Sequence, residues 1–377
     1  MQEKLDILVK QLNPKNTKTS EPLSGYTNLK IGGPADILYT THDIKDLINV
    51  VKLVRRMDVP VTVLGRGTNV LISDAGIRGL VVINKANTID IAGEKPVSEN
   101  SIPIMPRWES DSKEGTFKYE FKDLDYDESN EPRIEVIMDS GVDLPFALRY
   151  LLDKNITGLQ WYAGIPGTIG GAVHNNIHGG THFISEVVKM VKVLDKDLNV
   201  KELDIKELGA DYDKSRFHKS GEVILQVTFN FYKGDAEKAK FTATEWAQRK
   251  KIQPRNSPGC CFANLTQEQK EKFEYPTTAM GYVIEHVLKM TGFKVGGAAI
   301  SQAHHNFIVN EGNATAKDYL DVMKEIYKRT KEALDIEIVP EIMLLGFKDE
   351  EIAEFTKKEQ EDLRKVRNEE IRTVYKK

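Results

Sequence analysis

A chain of 377 residues, of which 40% are hydrophobic and 29% charged, is long enough for two or three domains with a sizeable buried core. Its net charge of −4 argues against a general nucleic-acid-binding surface, and no apolar run is long enough to span a membrane. The start of the chain lacks a signal-peptide pattern, and its two cysteines are adjacent, which excludes a disulfide framework, so we expect a cytoplasmic protein.

The N-terminal half is predicted to alternate between helices, strands and turns. An amphipathic helix and a polar link are expected over 1–21, and a solvated, polar insertion outside the core over 93–132, in which 117–121 favour a strand. Apolar residues at helical spacing predict helices over 43–57 and 143–154. Apolar, β-branched runs predict strands at 28–31, 61–64, 70–72, 80–84, 133–138, 187–194 and 223–232.

The C-terminal third shows a second alternation of elements, beginning after residue 234. Helices are predicted over 236–251, 278–290 and 316–334, and strands at 298–300, 306–310 and 337–345. The last of these strands contains Pro340, which indicates an edge or bulged strand. Residues 348–377 are highly charged and favour a helix, so we expect a helical tail on the surface.

Two glycine-rich stretches are the strongest local signals. They are Gly65–Asn69, which follows a predicted strand, and Gly164–Val173. Such stretches expose backbone N–H groups that can approach a diphosphate closely, although a tight turn between strands is the alternative for the second. The first does not fit a Rossmann fingerprint, because the apolar residues after it predict more strand rather than the required helix.

Seven segments, taken in order, resemble the UDP-N-acetylenolpyruvoylglucosamine reductases, also called UDP-N-acetylmuramate dehydrogenases. Each segment alone is a weak signal, but together they cover nearly the whole chain apart from the insertion and the last thirty residues. The matching segments are Asn28–Ala35, Leu64–Asp74, Gly164–Val173, Gly259–Asn264, Gly292–Ser301, Phe307–Asn310 with Gly312–Thr315, and Pro340–Gly346.

The resemblance implies an α+β protein with a flavin-binding fold of the vanillyl-alcohol-oxidase type. An FAD-binding domain of two α/β subdomains is expected over 22–234 and a substrate-binding domain over 235–347, between the N-terminal helix and the charged tail. The family reduces the enolpyruvyl ether of a UDP-sugar to a lactyl ether in peptidoglycan precursor synthesis, using FAD and NADPH. No partner other than the small-molecule substrate is implied, and no residue set has metal-ligand spacing.

The same resemblance assigns residues of both glycine-rich stretches to FAD. Those expected to bind the cofactor are Leu64, Gly65, Arg66, Gly67, Thr68, Asn69, Val70 and Leu71 in the first stretch, and Gly164, Ile165, Pro166, Gly167, Thr168, Gly171, Ala172 and Val173 in the second.

Two residues are expected to be catalytic. The family's Gly-Ser-x-Phe motif, whose serine donates a proton to the intermediate, has Cys260 in the serine position. A thiol, with an ordinary pKa of about 8.5, is a competent acid, although both adjacent cysteines are alternatively small core residues. Glu341 matches the glutamate of the family's Pro-Glu motif, which helps protonation; the alternative is a surface carboxylate on an edge strand.

The family's arginine for the substrate carboxylate is replaced here by Asp213, in Tyr212-Asp213-Lys214-Ser215-Arg216-Phe217. An aspartate cannot donate to a carboxylate at neutral pH, so the role is lost or has moved. On a strand, Lys214 and Arg216 would share a face with Tyr212. We expect Tyr212 and Arg216 to bind the substrate, with Arg216 as the replacement for the family's arginine. A plain surface arginine is the alternative for Arg216.

Further departures concern the remaining substrate contacts. Ala263 stands where the family has a basic residue, before a matching Asn264, and Asn176-Ile177-His178 replaces Asn-Ala-Gly. Asn264 and His304 are expected to bind substrate, a structural histidine being the alternative for the latter. These departures leave two other functions open: an FAD-linked oxidoreductase with another substrate, and a non-catalytic flavin or nucleotide-sugar binder.

Overall fold

The structure, a computed structural model, describes residues 1–102 and 122–356 and divides into two compact units built from separated stretches of chain. The first unit comprises Met1–Thr17, Tyr39–Gly65 and Val82–Lys251, and the second comprises Lys18–Leu38, Arg66–Val81 and the chain from Ile252 onward. The predicted domains, with boundaries at residues 22, 235 and 348, are continuous ranges of the sequence, whereas each of these units combines three separated ranges. A pattern read along the sequence gives no signal for such a combination.

The described residues contain both helices and strands, which confirms the α+β class. The helices are α1 Gln2–Gln11, α2 Ile44–Arg56, α3 Leu144–Asp153, α4 Ile169–His174, α5 Phe217–Ser220, α6 Ala236–Arg249, α7 Gln267–Lys272, α8 Met280–Tyr282 and α9 Ala316–Leu334. None of these helices is long and apolar enough to cross a lipid bilayer.

The strands of the described residues form several sheets. They are β1 Thr17–Pro22, β2 Pro34–Thr41, β3 Val61–Leu64, β4 Val70–Ile72, β5 Ile77–Asn84, β6 Thr88–Ile91, β7 Val97–Ser98, β8 Arg133–Asp139, β9 His178–Gly179, β10 His182–Phe183, β11 Val188–Leu194, β12 Val200–Asp204, β13 Val223–Tyr232, β14 Lys294–Val295, β15 Ala298–Ile300, β16 Ile308–Asn310 and β17 Met343–Leu345. One sheet has the strand order β1-β2-β5-β3.

A six-stranded sheet organises the first unit, in the order β12-β11-β13-β8-β6-β7. Its central strand β13 pairs antiparallel with β11 and β8. Alternate residues of β13 are fully buried, as the period of two requires: Leu225, Val227, Phe229 and Phe231. Residues of α3 and α6 belong to the same apolar core, so the sheet and these helices give the unit its stability.

The long helix α9 organises the second unit. Its buried face carries Tyr319, Val322, Met323 and Ile326, whose helical spacing was the basis for predicting this helix. A three-stranded antiparallel sheet, β14-β15-β16, belongs to the same unit, and β4 pairs with β17 in parallel.

Several local expectations are wrong. Residues 28–31 form no strand, because Lys30 takes a left-handed conformation (φ 59°) while Leu29 and Ile31 are buried in the core. The expected helix over 278–290 is α-helical only at Met280–Tyr282 and continues as a π-helix at Val283–Val287, where β-branched residues disfavour an α-helix. The link before residue 22 contains β1, and the strand expected over 337–345 shortens to β17.

The insertion over 93–132 is not wholly outside the core. Leu124 is 5% exposed and belongs to the apolar core of the first unit, and Glu128 is also 5% exposed. The strand expected at 117–121 and the tail beyond residue 356 lie outside the described residues. Leu124 escaped the sequence analysis because a lone apolar residue between aspartates gives no periodic signal.

The start of α9 is held by two acceptors. Asp74 accepts hydrogen bonds from the Ala316 and Lys317 N–H groups, at 2.8 and 3.0 Å, and Thr315 Oγ1 accepts one from Asp318 N at 3.0 Å. Three N–H groups that a helix terminus leaves without partners are thereby satisfied.

We expect Asp74→Ala to lower the free energy of unfolding by about 1 kcal/mol, because two N–H groups lose their acceptor and the helix dipole loses a favourable charge. Thermal unfolding followed by circular dichroism measures this. Asp74→Asn, which keeps an acceptor, should lose less. An alanine variant as stable as the wild type would contradict the capping role.

Candidate functional site

The second glycine-rich stretch is fixed to the sheet of the first unit and opens a short helix. Gly170 N donates to Ser140 O at 2.7 Å and Ile169 N donates to Val142 O at 2.9 Å, just beyond the end of β8. The Thr168 hydroxyl accepts from Gly171 N and caps α4. The stretch is therefore an anchored loop leading into a helix, and the tight turn between strands, left open as an alternative, is wrong.

The exposed side of this stretch carries almost no side chains. Gly164, Pro166 and Gly171 are exposed, whereas Thr168, Ala172 and Val173 are buried. Gly65, the first glycine of the other stretch, lies against Thr168, since a Cβ on Gly65 would come within 2.4 Å of Thr168 Oγ1. Such a bare, backbone-lined surface suits a large polar ligand.

The rest of the first stretch, Arg66–Leu71, belongs to the second unit. Gly67 has a φ of 58°, and a Cβ there would lie 2.3 Å from Tyr26 O, so only glycine fits. Asn28 N donates to Gly67 O at 3.0 Å, and Arg66 is exposed. The strand predicted after the loop is confirmed as β4, so the chain leaves the loop as a strand rather than a helix.

The second unit brings the first glycine-rich stretch to the predicted catalytic glutamate. Asn69 Nδ2 donates to Glu341 O at 3.1 Å, and Met343 N donates to Asn69 O at 3.0 Å. The parallel pairing of β4 with β17 continues this contact. Glu341, which is partly exposed, is therefore held by its backbone directly beside the loop.

The cysteine segment pairs with the same strand region. Glu341 N donates to Cys261 O at 2.9 Å, and Ala263 N donates to Val339 O at 2.8 Å. Cys261 is fully buried and burial raises the pKa of its thiol, whereas Cys260 is partly exposed. Adjacent residues of an extended segment point to opposite faces, so Cys260 is the thiol that a substrate can reach.

Asn306, which the sequence analysis missed, fixes the cysteine segment from its other side. Its side chain accepts from Phe262 N at 3.0 Å and donates to Phe262 O at 2.6 Å, and its backbone O accepts from Cys261 N at 2.7 Å. Asn306 is 1% exposed. An asparagine next to a buried apolar strand was the available signal, since a buried amide needs partners.

The predicted substrate ligands Asn264 and His304 lie in this second unit as well. Asn264 Oδ1 accepts from Met280 N at 3.1 Å and so holds the start of α8. The His304 ring lies 4.5 Å from that of Phe307, and burial lowers the pKa of its imidazole. Their roles toward a substrate stay predictions.

The segment through Tyr212 and Arg216 is a tight turn in the first unit and not a strand. Asp211 and Lys214 are bridged, and Asp213 has a left-handed φ of 48°. Arg216 forms a bidentate pair with Glu222, at 2.9 and 3.1 Å. The reasoning that gave Tyr212 and Arg216 a common strand face is therefore wrong, and Arg216 already has a carboxylate partner.

Two departures from the family pattern meet in this turn. Asp213 Oδ1 lies 3.3 Å from His178 Nδ1, and the rings of His178 and Tyr212 are 4.6 Å apart. A carboxylate where the family has a cation is thus matched by an imidazole where the family has glycine. The two changed positions are therefore in direct contact with each other.

We expect Arg216→Ala to lower the free energy of unfolding by about 1–3 kcal/mol, because Glu222, whose side chain is 8% exposed, would lose its charged partner. Denaturant unfolding measures this, and Arg216→Lys should lose less. A variant of unchanged stability with a raised KM for substrate would favour the ligand role instead.

Comparison with known proteins places this geometry in a family. Residues 251–345 match the C-terminal domain of UDP-N-acetylenolpyruvoylglucosamine reductase. The reductase of that name from Clostridium perfringens (strain SM101 / Type A) is 29% identical over 344 residues, covering 89% of this chain and 94% of the relative. The one from Pediococcus pentosaceus is 30% identical over 328 residues, covering 86% and 93%.

A solved structure supports the same assignment. UDP-N-acetylenolpyruvylglucosamine reductase from Thermus caldophilus aligns with a TM-score of 0.62 and 25% identity, over 87% of this chain and 98% of that one. The similarity therefore extends well beyond the matched C-terminal domain and over most of the chain. The chain belongs to the UDP-N-acetylenolpyruvoylglucosamine reductase family.

Proposed function

We propose that the chain is an FAD-dependent reductase that uses NADPH to convert UDP-N-acetylglucosamine enolpyruvate to UDP-N-acetylmuramate. The observation that carries the proposal is the hydrogen-bonded set within the second unit, in which Asn69 binds Glu341 and Glu341 binds Cys261. It joins a predicted cofactor loop to both predicted catalytic segments. Family membership supplies the substrate class.

Both glycine-rich stretches have features that suit FAD. A Cβ at Gly65 or Gly67 would collide with Thr168 or Tyr26, and two of the three exposed residues of the second stretch are glycines. We propose the sixteen residues named above as its ligands, with Gly65–Asn69 and Gly164–Val173 at the diphosphate. These residues would hold FAD, which would supply the hydride-transfer chemistry between NADPH and the terminal carbon of the enolpyruvyl group.

Cys260 is proposed to supply the proton that balances this hydride. The thiol S–H bond breaks, and its proton goes to the carbon that bears the substrate carboxylate, which completes the two-electron reduction of the double bond. The thiolate then recovers a proton from water. Cys260 is held in one orientation, which proton transfer requires, because the chain directly after it is fixed by two sets of hydrogen bonds. One set pairs 261–263 with 339–341, and the other comes from Asn306.

Glu341 is proposed to assist this proton transfer. Its backbone is bonded on both sides, through O to Asn69 and through N to Cys261, so its carboxyl group stays beside the cysteine segment. A protonated carboxyl there can donate a hydrogen bond to the developing enolate-like charge. Tyr212, Asn264 and His304 are kept as proposed contacts to the UDP-sugar.

The proposed setting is the cytoplasm, where UDP-sugar precursors of peptidoglycan are made. The substrate is a small molecule, and neither nucleic acid nor membrane binding is part of the proposal. Within residues 1–102 and 122–356, no group of three or more histidine, cysteine or acidic side chains could hold a metal ion.

Two anaerobic half-reactions test the function. Purified protein should bind FAD, lose its yellow absorbance when NADPH is added, and recover it when UDP-N-acetylglucosamine enolpyruvate follows. A colourless protein that binds no FAD would overturn every flavin-based function. Bleaching by NADPH without recovery on this substrate would point to another oxidoreductase.

We expect Cys260→Ala to lower the rate of the second half-reaction at least 100-fold and to leave the rate of the first unchanged, because only the second needs the proton. Cys260→Ser should retain substantial activity, since a hydroxyl can occupy the same position. The measurement is stopped-flow absorbance of the flavin. Equal rates for the alanine variant and the wild type would remove Cys260 from the mechanism.

A further inference from the structure

Residues 123–128, here called the returning segment, lie in the last part of the insertion and make several polar contacts. Glu128 accepts from Thr157 Oγ1 and from Gln160 Nε2, each at 2.7 Å. Gln160, fully buried, in turn accepts from Gly158 N at 2.6 Å. The segment is therefore bonded to the chain that enters the second glycine-rich stretch.

The returning segment also binds the chain that leaves that stretch. Asp125 accepts from Thr181 Oγ1 and lies 2.6 Å from His182 Nε2. The other ring nitrogen of His182 lies 3.2 Å from Glu186, and the ring stacks on Trp161 with a centroid distance of 3.6 Å. His182 thus joins the entering and leaving chains to each other and to Asp125.

Helix α6 completes the arrangement. Asp123 forms a bidentate pair with Arg249, both distances being 2.7 Å, and Lys238 Nζ lies 3.9 Å from the ring centre of Tyr126. Near the end of the same helix, the Lys250 side chain comes so close to Gly164 that a Cβ there would lie 3.2 Å from it. The returning segment and the loop are therefore both in contact with the chain around the C-terminal end of α6.

We propose that the returning segment is a positioning element for the bound dinucleotide cofactor: it clamps both ends of the second glycine-rich stretch through Glu128 and through the Asp125–His182–Trp161 contact. The inference rests on the proposed function, because it takes FAD as the ligand of this stretch. It gives a role to part of the insertion, which lies outside the segments that resemble the family.

The clamp has a charge dependence. Burial lowers the pKa of His182, but Glu186 and Asp125 outweigh burial and leave the pKa raised. Asp127 and Glu128 add weaker attraction along the same segment. Below the raised pKa the imidazolium donates to and attracts both carboxylates; as the pH rises through this pKa the charge attraction is lost and the neutral ring can donate to only one of them. Cofactor affinity should therefore fall as pH rises.

The test is a titration of FAD into the full chain after flavin removal, followed by quenching of flavin fluorescence between pH 6 and 9. The wild-type Kd should rise about five-fold or more across this range. In Asp125→Asn the rise should begin at lower pH, and in His182→Gln the Kd should be high and independent of pH. Asp127→Asn is the matched comparison: Asp127 bonds to Ser129 within its own turn and attracts His182 only weakly, so this variant should shift the curve less than Asp125→Asn.

Two results would overturn the clamp: a wild-type Kd that is constant over this range, or overlapping curves for Asp125→Asn and the wild type. Thermal unfolding without FAD shows whether each variant is folded, and Asp125→Glu should restore the wild-type curve. If Asp125→Asn does not fold, His182→Gln gives the same decision. A wild type that binds no FAD at any pH overturns the proposed function itself.

Discussion

The contact on which the candidate site depends is the pairing of Asn69–Ile72 with Glu341–Leu345, between segments separated by 272 residues at its first hydrogen bond. It fixes both the end of the first glycine-rich stretch and the backbone of Glu341. The cysteine segment then pairs with 339–341 on another edge. Without this contact the loop, the acid and the thiol would be three unrelated features of a long chain.

The two glycine-rich stretches both allow close approach to the backbone, but the chain continues differently after each of them. The first leaves through a strand, while the second opens a capped helix of six residues, Ile169–His174. In both, a neighbouring backbone or hydroxyl oxygen occupies the space that a side chain would need, so glycine is required there. Under the proposed function, reaction specificity would reside elsewhere, in the thiol of Cys260 and the carboxylate of Glu341 in the second unit.

Periodic patterns predicted the long elements well, as α9 shows, because a buried helical face leaves its spacing in the sequence. They failed at 28–31 and at the Tyr212–Arg216 turn, where positive φ values at Lys30 and Asp213 break an apparently regular run. Motif order identified the family. The partners of the predicted site segments, such as Asn306, Glu222 and Glu128, depend on tertiary contacts that no local pattern encodes.

The discontinuous second unit has a consequence for how the chain becomes a protein. Residues 18–38 and 66–81 are synthesised early, yet their companions begin at Ile252 and the strand that pairs with β4 ends at Leu345. During translation, the strand that follows the first glycine-rich stretch therefore has no β-partner until residues 343–345 have been synthesised. Contacts of such high sequence separation form slowly, so this unit should be the later of the two to fold.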